Sequence, residues 1–346
     1  MTVYSIDPLQ DPRWLDLLNR HPDASVFHAP SWMRALHKSY GYECSVLTTT
    51  EPGKPLENGI AFCRVSSWLT GSRIVSLPFA DHCQPLVDSQ SSLDSLLHAL
   101  HEEGSNRKWK YVELRPLHAI ENVENATAFS TNTSFAFHTL DLTPDAETIL
   151  KSFHKNQIQQ KIKKAAKMGL TIEHGRSEAH LQDFYNLLLV TRRRHQLPPQ
   201  PRTWFESLIQ NFGEDLDIWV ARHEGQPIAS ILTLASARTY VYKYGCSNAA
   251  FHNLGGMQAL MWGAIQSAKS RGAEVFDFGR SDLNNEGLIS YKDQWGTQRH
   301  TMHYYRNGVM RHSQLESSSS LTKRIFASLP DSCLIAAGRL LYRHMG

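Results

Sequence analysis

No stretch of this 346-residue chain is apolar over the length that a membrane-crossing helix needs, about 18 residues or more, so a helical membrane protein is not expected. The first residues, MTVYSIDPLQDPRW, carry acids and prolines where a secretion signal has a basic start and an apolar run, and no such signal is expected. Cysteine is scarce. Cys44, Cys63, Cys83, Cys246 and Cys333 are scattered, odd in number and without CxxC spacing, which favours neither a disulfide framework nor a zinc knuckle and fits a reducing cytoplasm. The 18 histidines show no HExxH spacing and GxSxG is absent, so neither a metal centre nor a serine-hydrolase elbow is expected. Net charge is only +3, too small for bulk nucleic-acid binding, although local clusters remain.

What is present is ordinary globular material, 41% hydrophobic, in a length that suits two domains. Ser45 to Thr48, Gly59 to Val65, Arg73 to Leu77, Tyr111 to Leu114 and Phe135 to Leu142 have the composition of strands, and Ser91 to Glu103 has helical periodicity. Thr143-Pro144-Asp145 is a helix-start signal and marks the expected domain boundary. Beyond it the order repeats in outline. A lysine-rich helix from Ala146 to Lys167 is followed by a strand at Leu170 to Glu173 and a helix at Ala179 to Arg194. Strands at Leu216 to Arg222, Ile228 to Ala235 and Thr239 to Tyr244 come next, then a helix from Gly256 to Ser270 and a strand at Val275 to Phe278. The expected architecture is α/β, with mixed sheets flanked by helices occurring twice. The boundaries are 1–143, 144–315 and an amphipathic helical tail at 316–346.

The densest chemistry lies in VFDFGRSDLNNEGLISYKDQWG, Val275 to Gly296. A strand is expected to leave through Gly279 into a polar loop holding Arg280, Ser281, Asp282, Asn284, Asn285, Glu286 and Gly287, followed by Tyr291, Lys292 and Trp295. One ammonium among aromatic rings either holds a developing anion or covers a core. Arg280 either forks onto a carboxylate or phosphate or braces the loop by pairing with Asp277 or Glu286. Glu286 is a candidate base.

KNQIQQKIKKAAKMGL, TRRRHQLPPQP, NLGGMQALMWGAI, FDFGRSD with NEG, and YKDQWG occur in this order and resemble the FemAB-related, BioF2-like acyltransferases of the GNAT superfamily, over roughly residues 25 to 310. The resemblance implies tandem GNAT-like domains and transfer of an acyl or aminoacyl group onto an amine, with acyl-coenzyme A or aminoacyl-tRNA as donor and no permanently bound cofactor. It also implies a glycan or lipid-linked acceptor, in cell-envelope or exopolysaccharide biosynthesis. The motif Tyr291-Lys292 with Trp295-Gly296 matches one whose lysine supports the tetrahedral intermediate. The fold implied places the donor where Tyr240 to Tyr244 and Val275 to Phe278 splay apart, against Gly255, Gly256 and Met257 at a helix start. The coenzyme A loop of that fold is matched only loosely.

Further candidates surround this frame. Thr191 to Pro201 joins three guanidinium groups to a proline-stiffened turn; Arg193, His195 and Gln200 suit an anionic substrate, or the arginines simply answer a helix C-terminus. Tyr242 and Tyr244 should share a strand face, either as a proton donor to the leaving group or as core. In the first half, Asp81 and Arg115 beside strand ends suit acceptor binding or inter-domain hydrogen bonding. The tail mixes Lys323, Arg324, Arg339 and Arg343 with Ile325, Phe326, Leu334 and Leu340, as an interfacial helix does, or as a helix docked on the protein itself. The expectation is a cytoplasmic N-acyltransferase, peripheral at the membrane if the tail is interfacial. Lys292, Arg280, Tyr244 and Glu286 are its catalytic candidates, and Trp295 joins the substrate wall. The alternative is a noncatalytic RNA- or glycan-binding protein of the same fold, using the lysine helix.

Overall fold

Asp11 accepts from the Arg13 backbone N–H (3.1 Å) ahead of Pro12, so the chain enters its first helix, α1 (Pro12–Arg20), through a side-chain cap. The computed structural model describes residues 1–107, 109–120, 123, 129–308, 326 and 330–346. Among them the order is β1 (Tyr4–Ile6), α1, α2 (Pro30–Tyr40), β2 (Glu43–Thr48), β3 (Ile60–Val65), β4 (Arg73–Val75), α3 (Gln90–Asn106), β5 (Tyr111–Leu114) and β6 (Ser130–Asp141). Then follow α4 (Ala146–Ser152), α5 (Gln160–Lys167), β7 (Thr171–Gly175), α6 (Glu178–Arg194), α7 (Arg202–Phe212), β8 (Leu216–His223), β9 (Gln226–Ala235) and β10 (Thr239–Ser247). The chain ends with α8 (Gly256–Ser270), β11 (Val275–Asp282), α9 (Glu286–Asp293), β12 (Gln298–Gly308) and α10 (Asp331–Tyr342).

The chain divides into two compact units, one of Met1–Phe135, Thr301–His312 and Leu340–Gly346, the other of Ala136–His300 and Ser313–Arg339. In the first unit the strands lie in the order β1-β2-β3-β4-β5-β12, antiparallel except for β4 with β5. Leu47, Phe62, Ile74, Leu96 and Leu100 form its core, where α3 covers the sheet. Cys44 and Cys63 stand directly opposite on β2 and β3 and are joined as a disulfide, a pairing that their spacing in the sequence does not suggest.

Within this unit His28 is fully buried. Its Nδ1 accepts the Ser25 backbone N–H (3.0 Å), so its proton sits on Nε2 and is donated to the Gln84 carbonyl (2.9 Å). Burial pushes its pKa down to about 4 from an ordinary 6.5. A base depressed in the folded state brings stability that is full above the unfolded value and lost as pH falls through the folded one. The unfolding free energy from urea titrations should therefore decrease as pH is lowered from 6.5 to 4, by up to about 1.4 kcal/mol per pH unit, and the slope should flatten in His28→Gln. An equal slope in the variant would reassign the acid sensitivity.

In the second unit the order is β6-β11-β10-β9-β8-β7. Alternation along β9 sends Ala229 and Ile231 into a core with α8, Trp219 and Trp295, while the neighbouring Ser230 accepts Cys246 Sγ at 3.5 Å on the side of α6. Helices thus cover both faces, as expected. The lysine-rich helix is broken. Asp145 caps α4 as its signal suggests, but Phe153 is extended (φ −71°, ψ 146°) and buried against Trp262 and Trp295, and His154 starts a new turn. Burying one aromatic ring outweighs continuing the helix. The strand expected to end at Phe278 runs on to Asp282, so Arg280 and Ser281 are strand residues, and Tyr291 and Lys292 lie on a helix, α9.

The tail is docked on the chain itself. In the second unit Leu334 is buried, Arg193 pairs with Asp331, and a Cβ on Gly338 would stand 2.1 Å from the Pro199 carbonyl oxygen. In the first unit the Tyr42 hydroxyl donates to the Arg343 carbonyl (3.0 Å), and Arg73 Nε donates to the Gly346 oxygen (2.8 Å). Lys323, Arg324 and Ile325 lie outside the described residues. No described helix is long and apolar enough to cross a membrane.

Candidate active site

Two parallel strands form the centre of the second unit and then part. Thr239↔Val275, Tyr240↔Phe276 and Val241↔Asp277 are paired, but the ladder goes no further, although β10 continues to Ser247 and β11 to Asp282. Beyond that point the β10–β9 register passes from Tyr242↔Thr233 to Tyr244↔Leu232, a bulge at Lys243. The bulge puts Tyr242 and Tyr244 on opposite faces, correcting the expectation that they share one. Tyr242 packs into the α8 core, whereas the Tyr244 hydroxyl accepts from Trp204 Nε1 (2.9 Å) on α7.

On β11, Asp277 is buried and its carboxylate accepts the Gly279 N–H (2.5 Å), with Gly279 at φ +72°, where glycine is favoured. The carbonyls of Gly279 and Arg280 accept from Lys292 Nζ, at 2.8 and 3.0 Å. Lys292 is 3% exposed, on the face of α9 that turns inward beside Ile289. A buried ammonium is stable only when its protons are taken up, and here the carbonyls of the parted strand take them. The Arg280 guanidinium lies 3.7 Å from Asp282, two residues along the same strand face. Glu286 opens α9 on the solvent side. His138, buried on β6, meets Asp293 at 3.1 Å through Nε2, next to Lys292 in the chain. Burial and then the Lys292 charge hold this imidazole below its usual value, with Asp293 pulling the other way. Nothing in the sequence spacing pointed to His138.

A cavity of about 280 Å³ opens at the start of α8, lined among others by Lys161, Ser247, His252, Gly256, Met257 and Tyr291. Gly255 caps α8 at φ +80°, and a Cβ there would stand 2.4 Å from the Lys161 carbonyl oxygen. The first N–H groups of a helix lack intrahelical acceptors, so this end favours an anion. Two observations add to the cap. Lys161 lines the wall, and Arg194 reaches both the Ser247 carbonyl (3.5 Å) and His252 Nε2 (3.4 Å), while His252 Nε2 also meets Ser247 Oγ at 2.8 Å. Partial burial, then Arg194 and Lys161, hold His252 below its usual value, which records the positive field at this mouth. Tyr291 also lines the cavity; its hydroxyl is buried beside Trp295, and burial raises its phenol well above the ordinary range, so it stays protonated.

The other sequence candidates are placed as follows. Of the three adjacent arginines, Arg194 bonds to Ser247 and His252, which line the cavity; Arg193 is tied to Asp331, and Arg192 donates to the buried Gln200 (3.0 Å). His195 ends α6 on the surface, its pKa lowered by partial burial, Arg194 and Arg192. Trp295 is fully buried, its ring 5.0 Å from Phe153 and 6.2 Å from Tyr291, a core role. In the first unit Asp81 accepts the Tyr304 hydroxyl through its backbone (2.5 Å), and Arg115 pairs with Glu113 at 2.9 Å over the Tyr304 ring. Burial works against the charges of that pair, yet Glu113 holds Arg115 above its usual value, and Arg115 with Arg306 holds Glu113 below its own. No group of three or more metal-ligating side chains occurs among the described residues. Lys161, Arg194, His252 and Tyr291 were not singled out for this cavity; adjacent arginines and a lone histidine in a turn carry no signal of which way each one points.

Residues 152–293 match the model of the acetyltransferase (GNAT) domain family. Over 160 residues the chain is 27% identical to a UDP-N-acetylmuramoylpentapeptide-lysine N(6)-alanyltransferase of Weissella viridescens, covering 44% of this chain and 46% of that protein. The match thus spans about half the length of that relative. Among solved structures, FemX shares the fold with TM-score 0.71 and 14% identity, over 89% of this chain and 98% of that one. The C-terminal domain of a putative lysylphosphatidylglycerol synthetase from Agrobacterium fabrum does so with TM-score 0.56 and 12% identity, over 86% and 92%. A tandem GNAT protein from the clavulanic acid biosynthesis pathway does so with TM-score 0.55 and 10% identity, over 90% and 100%.

Proposed function

We propose that this chain, an acyltransferase with a GNAT domain and related to the FemAB-type transferases, moves a small acyl or aminoacyl group from a phosphate-bearing donor to a primary amine of a cell-envelope precursor. The observation that carries this reading is the cavity at the start of α8, walled by Lys161 and His252 with Arg194 bonded to His252. Its positive mouth suits donor phosphate, of coenzyme A or of tRNA. Its inner end suits the acyl carbonyl.

In the reaction the acceptor nitrogen attacks the carbonyl carbon, a C–N bond forms and the donor's C–S or C–O bond breaks. Backbone N–H groups where β10 leaves β11 would meet the oxyanion. The leaving group takes a proton from the uncharged Tyr291 hydroxyl on the cavity wall, and the proton lost by the acceptor nitrogen as the amide forms restores that hydroxyl. Lys292 is then a positioning residue, holding the free edge of β11 through its carbonyls. The name of the Weissella viridescens relative supports an acceptor of the peptidoglycan-precursor class over an exopolysaccharide one.

Titration with acetyl-coenzyme A, longer acyl-coenzyme A and alanyl-tRNA, followed by calorimetry, tests the reading. At least one donor should bind, more weakly as salt rises, and Arg194→Ala should lower its affinity about tenfold. Tyr291→Phe should bind as tightly and turn over about 100-fold more slowly. Binding of no donor, or affinity indifferent to both salt and Arg194, would overturn it.

A further inference from the structure

Trp68 is 81% exposed at the tip of the β3–β4 connection in the first unit. Single exposed apolar residues need no explanation, but this one has company. Leu69 beside it is 47% exposed, and the chain's last residues meet the same tip through His344, in a segment whose Leu340 (60%) and Met345 (43%) are also exposed. The Trp68 and His344 rings are 5.3 Å apart.

The tip is a built turn. Ser67 Oγ accepts the N–H groups of Leu69 (3.2 Å) and Thr70 (2.9 Å), and the Gly71 N–H returns to the Ser67 carbonyl (2.8 Å). With its hydroxyl thus accepting twice, Ser67 donates to His344 Nδ1 at 2.9 Å, and Thr70 Oγ1 donates to the His344 carbonyl (2.9 Å). A side chain of this size is held outward by a backbone with its hydrogen bonds made, so ordering it on a partner costs little further entropy. Cations stand at the tip: Lys110 Nζ donates to the Thr70 carbonyl (3.0 Å), and Arg343 is exposed next to His344.

We infer that the Trp68–Leu69 turn and the chain end from Leu340 to Met345 form a docking surface for an anionic bilayer. Trp68, Leu69, Leu340 and Met345 would enter the headgroup region, with Lys110 and Arg343 against lipid phosphate. Charge complementarity selects this occupant: a tryptophan flanked by aliphatic groups and ringed by cations suits the interface between acyl chains and anionic headgroups. A second copy of the chain would have to bring like charges together. The inference concerns only the first unit and does not rest on the proposed reaction.

The test uses the full chain and sucrose-loaded vesicles, of phosphatidylcholine alone or with 30 mole per cent phosphatidylglycerol as the probe composition, chosen at roughly the anionic content to which basic patches respond. The chain should sediment with the anionic vesicles and much less with the neutral ones. The Trp68→Ser, Leu69→Ser variant should partition at least about tenfold less. Arg343→Glu should lose the preference for anionic lipid. Since Trp68 is exposed, circular dichroism and thermal unfolding should not change, which separates lost docking from lost folding. No sedimentation with either vesicle, equal sedimentation of wild type and double variant, or concentration-dependent dimerisation abolished by the variant would each overturn the inference, the last in favour of a second copy.

Discussion

Lys292→Met should lower acyl transfer by about 10²–10³-fold in a chain that still folds. The ammonium is 3% exposed and donates to the Gly279 and Arg280 carbonyls, at the stretch of β11 that no longer pairs with β10. A thioether of similar length fills the space but supplies no protons. Two carbonyl groups would then lie buried beside it without this donor, at a cost of about 1–3 kcal/mol, and the strand edge would shift to recover a partner. A displacement of about 1 Å at a reacting centre is enough for a 10²-fold loss. Turnover and thermal unfolding measured on the same preparation check this: a large fall in kcat with a modest fall in Tm is expected. Wild-type turnover in the variant would remove Lys292 from the mechanism.

Gly255→Ala should reduce donor affinity by more than tenfold and lower Tm by roughly 5 °C. A left-handed φ of +80° costs an alanine about 1–2 kcal/mol, and here the added Cβ would also sit 2.4 Å from the Lys161 backbone oxygen. No rotamer relieves a clash with backbone, so α5 or the cap must move, and Lys161 and Gly256 line the same cavity. Gly287→Ala is the control, because it has open space around it and no positive φ, and it should behave as wild type. An unchanged donor affinity in Gly255→Ala would place the donor elsewhere.

Much of the second unit was legible because its signals are local. The helix expected from Gly256 to Ser270 is found with those bounds, since a 3.6-residue apolar period and a glycine start are both written within 15 residues. Asp145 caps as expected, because capping needs only the next turn of chain. The family resemblance implies that β10 parts from β11, and their pairing ends at Val241↔Asp277, within the strands it points to. The polar stretch after Phe278 has the composition of a loop yet continues the strand to Asp282, because strand pairing comes from distant segments, not from its own composition.

The sequence by itself determined the class of fold, the places where helices begin, and the motif that puts a lysine among aromatic rings. Only the tertiary structure decided what each group does. A bulge at Lys243 turned Tyr244 away from Tyr242, a buried Phe153 broke the lysine helix, and strand pairing brought Cys44 against Cys63. Packing selected Arg194 from three adjacent arginines and left the Tyr291 hydroxyl buried beside a cavity. Propensity and capping act over a few residues and can be read in order along the chain. Register, burial and the direction of a side chain are set by residues tens to hundreds of positions away, and take definite values only once the sheets have formed.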